Sequence, residues 1–280
     1  MKKLLNPLII SVFIVIMLLG SLAHLMYGSC QSSKWHYIIQ CYLIPDYLPE
    51  WVQTAKINTI NRIVIHKNYT GEWRSWWKNG NQQALYTFTN KVLNGKCYSW
   101  RNDGVSLSEN NYKNGKINGK TIVWHENGNL RLEYNWIMGK EHGLGSHWYY
   151  DGTKESRGNY KDGDKVGTHI KWGEDGKVFS KSFYQKDKLV FEEHFYDEGW
   201  LFEKKYYDEH RKMINHEVYL EGEGRIKLFE QRYINGIQSI FTQWNEDSTI
   251  KRKEHFDSKG KFQKRELFEK GKLVKTEVEE

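Results

Sequence analysis

Eleven histidines, 35 acidic residues and three cysteines are the side chains of this chain best suited to chemistry. Their spacing argues against using them that way. His125, His142, His147, His169, His194, His210, His216 and His255 are scattered, and no His-Glu-x-x-His is present. His142 and His147 are five apart, which in a strand puts them on opposite faces. They read as polar sheet positions. Glu192-Glu193 and Glu279-Glu280 are adjacent, so in a strand each pair points apart and cannot share a proton. No Gly-x-Ser-x-Gly elbow occurs, and "GEGR" and "GLGS" lack the strand-to-helix setting of a phosphate loop. No Cys-x-x-Cys exists, so a structural zinc site is not expected. The chemistry predicts no catalysis, no metal, no cofactor and no small-molecule substrate.

What does recur is a pattern. Gly71, Gly95, Gly119, Gly143 and Gly167 are each 24 residues apart. Five residues after each stands a tryptophan: Trp76, Trp100, Trp124, Trp148 and Trp172. Nine after each stands another glycine: Gly80, Gly104, Gly128, Gly152 and Gly176. Seventeen after each is Phe88, Tyr112, Trp136, Tyr160 or Tyr184. Such columns mean a repeat architecture. The period continues, degraded by one-residue slips, through Tyr196, Trp244 and Phe268.

Each unit holds two short strands and two turns. Asn79-Gly80, Asp103-Gly104, Asn114-Gly115, Asn127-Gly128, Asp151-Gly152 and Asp175-Gly176 mark the turns, because Gly accepts positive φ and Asn or Asp tolerates it. Two strands of ~8–9 residues with a three-residue loop taken twice fill the period. A loop of Glu126-Asn127-Gly128 would pair Trp124 with Leu130 and gather Ile122, Trp124, Leu130, Leu132, Tyr134 and Trp136 on one face. The predicted fold is all-β: an elongated antiparallel sheet of tandem ~24-residue hairpins after an N-terminal hydrophobic helix.

The chain divides by composition into 1–30, 31–70, 71–190 and 191–280. Residues 1–70 carry 6 basic and 2 acidic residues, 71–190 carry 19 and 13, and 191–280 carry 17 and 20. The basic excess of the first two-thirds suits anionic lipid or polymer. No basic run or recognition motif points to nucleic acid. Aromatics at 15% and only 3 prolines argue against disorder.

Lys2 and Lys3 precede "LIISVFIVIMLLGSLAHLM", which is near the ~20 residues of a spanning helix. Three readings stay open: an uncleaved anchor, a signal peptide cut after Ser21-Leu22-Ala23, and a lipidated Cys30 in "YGSC". Each places the repeats outside the cytoplasm, by the lysines before the span. Cys30 could pair with Cys41 in an exported chain, leaving Cys97 over. Residues 31–70 read as stalk and cap, with a short helix from Pro49 and a strand in "NRIVIHKNYT". The charged tail "KTEVEE" is expected to close the far end.

The run "YKNGKINGKTIVWHENG" resembles the MORN repeat (membrane occupation and recognition nexus). It is most similar to the bacterial variant in YwqK-type antitoxin-like repeat proteins. The likeness covers Gly71 to Gly167 strongly and runs to Gly271 weakly. It implies a scaffold, a lipid-contact surface or an antitoxin-like partner of a toxin.

Two surfaces are therefore candidates. The tryptophan stripe is either core or a face that stacks on a protein partner. Lys113, Lys116 and Lys120, around the turn of "YKNGKINGK", are either solubility charges or contacts to anionic headgroups. A non-catalytic scaffold for protein–protein contact, tethered or exported, is the leading expectation.

Overall fold

The computed structural model describes residues 7–27, 31, 33–47, 68–222 and 225–279. Cys30, the helix expected from Pro49 and the strand expected before Gly71 fall largely or wholly outside them. The chain forms two compact units, Met1–Gly128 and Asn129–Glu280.

The first unit begins with helices α1 (Pro7–Tyr27) and α2 (Lys34–Ile38), a π-helical turn (Ile39–Leu43) and α3 (Ile44–Tyr47). The side chains of α1 are described from Ser11 to Leu25. Among the described residues no helix is long and apolar enough to cross a membrane, so the predicted anchor gains no support. Cys41 and Cys97 are buried free thiols.

Strands β1 (Gly71–Trp76), β2 (Gln82–Thr89), β3 (Val92–Leu93), β4 (Gly95–Trp100), β5 (Ser106–Lys113) and β6 (Lys116–Trp124) follow as an antiparallel meander. The helical segment covers the free side of β1. The Gln31 amide stands in for a strand, donating to Arg74 O at 2.8 Å and accepting from Arg74 N at 2.9 Å. Tyr42 donates to Trp76 O at 3.0 Å, and the Tyr37 ring lies 5.4 Å from that of Trp76. The core sits here: Tyr37, Ile38, Cys41, Ile44, Trp73, Ala84, Phe88 and Cys97 are buried.

The described residues of the second unit are strands and turns, with no helix. β7 (Leu130–Ile137), β8 (Lys140–Glu141), β9 (Gly143–Trp148), β10 (Lys154–Lys161), β11 (Asp164–Trp172), β12 (Val178–Gln185) and β13 (Lys188–Phe195) continue the regular units. β14 (Leu201–Tyr207), β15 (Met213–Tyr219), β16 (Lys227–Ile234), β17 (Ile237–Trp244), β18 (Ile250–Phe256), β19 (Phe262–Glu269) and β20 (Lys272–Val278) complete it. Each pairs antiparallel with its neighbours in sequence, which gives a single layer. The all-β expectation of tandem hairpins holds in both units.

Two turn types alternate. The first has three residues, as predicted. In Arg101–Val105, Arg101 N donates to Val105 O at 2.8 Å and Gly104 N to Arg101 O at 3.0 Å, with Gly104 at φ 94°. The Asp103 carboxylate accepts from Val105 N at 2.9 Å, which explains Asp before Gly. Gly128 closes the equivalent turn at φ 87°. The second turn is shorter than predicted. Asn114-Gly115, Asp162-Gly163 and Asn235-Gly236 are two-residue turns with both residues at positive φ. That is the conformation whose twist matches the flanking strands.

The residues saved in the turn reappear as bulges. Between Tyr112↔Ile117 and Asn110↔Thr121, β6 carries two residues more than β5, and Gly119 lies among them at φ 107°. β11 does the same around Gly167. β13, with Phe191 at the corresponding place, carries one extra residue against β12. That lost residue is the slip in the period: Gly176 to Gly199 is 23 residues. The tryptophan column therefore continues at Phe195, not Tyr196, since Phe195 pairs with Leu201 as Trp172 pairs with Val178.

Two glycines have a steric role instead. A Cβ on Gly145 would lie 2.5 Å from the Tyr134 ring, and one on Gly158 would lie 2.0 Å from the His169 ring. Gly158→Val should cost about 2–3 kcal/mol, because His169 would have to leave Asn159 O. Gly128→Val, with open space around it, should cost only the strain of a β-branched residue at positive φ, about 1–2 kcal/mol. Urea midpoints of both variants check the order.

Candidate functional site

The five tryptophans of the stripe are neither core nor fully exposed: each is half-buried. A single-layer sheet shields a ring only with its neighbours on the same face. Tyr98 stacks on Trp100 at 5.9 Å. Lys154 Nζ lies 5.8 Å from the Trp148 ring and 6.0 Å from that of Trp172, bridging successive units by cation–π contact.

The predicted sharing of one face by both aromatic columns is wrong. Tyr112 pairs with Gly95, so it lies on the side of Gly95, Cys97 and Ser99, while Trp100 takes the other side. Tyr160 likewise pairs with Gly143 and Trp148 faces away from it. The cause is a bulge just beyond each three-residue turn. Trp100 pairs with Ser106 but Ser99 pairs with Ser108, so Leu107 is extra and the alternation flips. Gln83, Glu155 and Phe179 are the same extra residue in other hairpins.

The face opposite the tryptophans carries a row of tyrosine and histidine. Tyr134, His147, Tyr160, His169 and Tyr184 follow one another, with ring centroids about 5 Å apart along the row. Tyr134 Oη lies 2.9 Å from His147 Nε2 and 3.3 Å from Tyr160 Oη. Burial pushes the Tyr134 and Tyr160 phenols up and the His147 and His169 imidazoles down.

The residue after each tryptophan, passed over in the sequence, ties unit to unit. Trp77 Nε1 donates to Trp100 O at 3.0 Å, Arg101 Nη2 to Trp124 O at 3.3 Å, and Tyr149 Oη to Trp172 O at 2.8 Å. Tyr196 repeats the contact to Tyr219 O at 3.4 Å. A long donor after three of the five tryptophans, Trp77, Arg101 and Tyr149, was the signal.

Lys113 and Lys116 are exposed and face each other across the turn at Asn114-Gly115, and Lys120 is exposed farther along β6. Beyond Phe191, part-buried charges join the aromatics. Glu203 lies 2.6 Å from Lys205 and 2.8 Å from His216, and Glu217 lies 2.6 Å from Lys227. Burial alone would raise both carboxyls, but these hydrogen bonds prevail and hold them low. Among the described residues no three His, Cys, Asp or Glu side chains converge as a metal ion requires.

One depression opens beside the three-residue turns of β9–β12, with Ser156 and Lys171 on the face of His147. Tyr149, Glu155, Ser156, Lys171, Trp172 and Phe179 line about 390 Å³. Phe179, the bulged residue, and Tyr150 are each 57% exposed. No family model matches the chain and no curated protein does.

Trp148→Ala should cost about 2 kcal/mol, below the ~3–5 of a buried ring, as urea denaturation will show. Acid should destabilise in two stages. His147 and His169 have lowered folded values, so stability falls as pH drops below their unfolded value of about 6.5. Glu203 and Glu217 are depressed too, so their contribution is lost below about pH 4.5. Thermal melts from pH 8 to 3 should show both losses, with His169→Gln flattening the first.

Proposed function

We propose that the chain is a non-catalytic, MORN-type repeat scaffold that holds a protein partner at the exposed aromatics beside its three-residue turns. The carrying observation is the depression floored by Trp172 and flanked by exposed Phe179 and Tyr150. Large apolar side chains left in water on a rigid sheet favour association over isolation. Half-buried rings held by carbonyl ladders and cation–π contacts also lose little freedom on binding. Phe13, Ile16, Leu18 and Leu19 of α1 are 60–63% exposed, which supports attachment of the scaffold to an apolar surface through that helix.

Tyr150→Glu with Phe179→Glu tests this, because both side chains are exposed and should leave the melting temperature nearly unchanged. Affinity capture from the native host, read by mass spectrometry, should show a protein held by the wild type and lost from the double variant. An identical captured set for both would overturn the assignment.

A further inference from the structure

The other end of the second unit's strands carries a different cleft, on the tyrosine–histidine face. Lys165, Tyr184, Asp187, Leu189, Tyr207 and Arg211 enclose about 450 Å³ between successive hairpins. Lys165 Nζ lies 5.1 Å from the centre of the Tyr184 ring. Tyr207 donates its hydroxyl to Glu192 at 2.5 Å, which fixes its ring as a wall. Arg211 Nη2 donates to Asp187 O at 3.3 Å, and Asp187 Oδ1 accepts from Lys165 N at 3.3 Å.

Two features set this cleft apart. First, most other basic residues of the later strands sit in ion pairs, such as Lys204 with Glu193 and Lys205 with Glu203. Lys165 Nζ and the Arg211 guanidinium have no ion pair among the described residues. Second, Arg211 has φ 62°. It closes the turn that begins at Asp208, with Arg211 N donating to Asp208 O at 3.1 Å. Gly104, Gly152, Gly176, Gly199 and Gly260 hold the same place in other three-residue turns. An arginine there costs backbone strain that glycine would avoid. The guanidinium reaches across to Asp187 O of the neighbouring hairpin, which holds it at the cleft.

We propose that this cleft binds an acidic peptide segment of a protein partner, a carboxylate lying between Lys165 and Arg211 and its apolar neighbours against Tyr184, Leu189 and Tyr207. Charge selects the ligand. Two cations and the Asp187 carboxylate leave one net positive charge, which suits a single carboxylate and disfavours a phosphate dianion. Shape selects the peptide. The cleft is open and flanked by the turns at Asp162-Gly163 and Lys186-Asp187, so an extended chain can enter and leave it.

The full chain is titrated into a fluorescein-labelled hexapeptide of alternating Glu and Leu, and anisotropy is read. The wild type should bind it, and the Gln-Leu counterpart should not bind. Lys165→Ala and Arg211→Gly should each weaken binding about fivefold or more, and added salt should weaken it further. Arg211→Gly relieves the left-handed strain, so its melting temperature should stay level or rise, which keeps folding out of the result. Variants that bind like the wild type would overturn the proposal, and so would equal binding of the Gln peptide. Displacement by inorganic phosphate or benzoate at the peptide's own concentration would assign the cleft to a small anion and overturn it as well. Tyr150→Glu with Phe179→Glu lies at the other end of the strands and should leave peptide binding intact, so the two sites stand or fall separately.

Discussion

Single-layer construction is the constraint on which the rest depends. Among the described residues of the second unit there are only strands and turns, so each side chain is shielded by its neighbours on the same face. Burial is therefore a cross-strand property, and the natural partner of a ring is the ring one strand or one unit away. Any change in the residue count between equivalent positions would slide one side chain off the next. The 24-residue period is the chemical expression of that need. Where the count changes, as at β12–β13, one bulge residue is given up and the columns realign at Phe195.

The turns and columns were legible in the sequence because their signals are local. Glycine at positive φ, with Asp or Asn before it to accept the N–H two residues on, requires particular residue types. The bulge after each turn requires none. Gln83, Leu107, Glu155 and Phe179 occupy it with four different chemistries. Alternation counted through that point gives the wrong face, which is how Trp124 and Trp136 came to be expected together. The cleft at Lys165 and Arg211 was hidden for a related reason. Its residues span 165–211 and only register brings them together. The one local clue was "DEHRK", with arginine where most of its sister turns have glycine and one has Ser248.

The later strands show what replaces aromatics when the columns decay. Glu193 stands opposite Lys204, and Lys204 opposite Glu217. Glu217 then faces Glu230, a like-charge pair that would be unfavourable alone. Lys227 lies 2.6 Å from one and 3.5 Å from the other, and Arg232 lies 2.7 Å from Glu230. Part-buried ion pairs of this kind give back much of their attraction in lost hydration, so their net contribution is small. They fix register more than they add stability, since a slip of one residue would set like charges against each other. Lys204, 4.3 Å from the Phe191 ring, links the two regimes by touching the last ring of one and the first charges of the other.

The same bulge that defeats simple alternation gives the sheet two chemically distinct faces. Without it, tryptophan and tyrosine would share one side, and the other would carry only what the columns leave over. With it, one face presents tryptophan, phenylalanine and a lysine between rings, and the other presents tyrosine and histidine with unpaired cations at its turns. A single layer cannot hide either face.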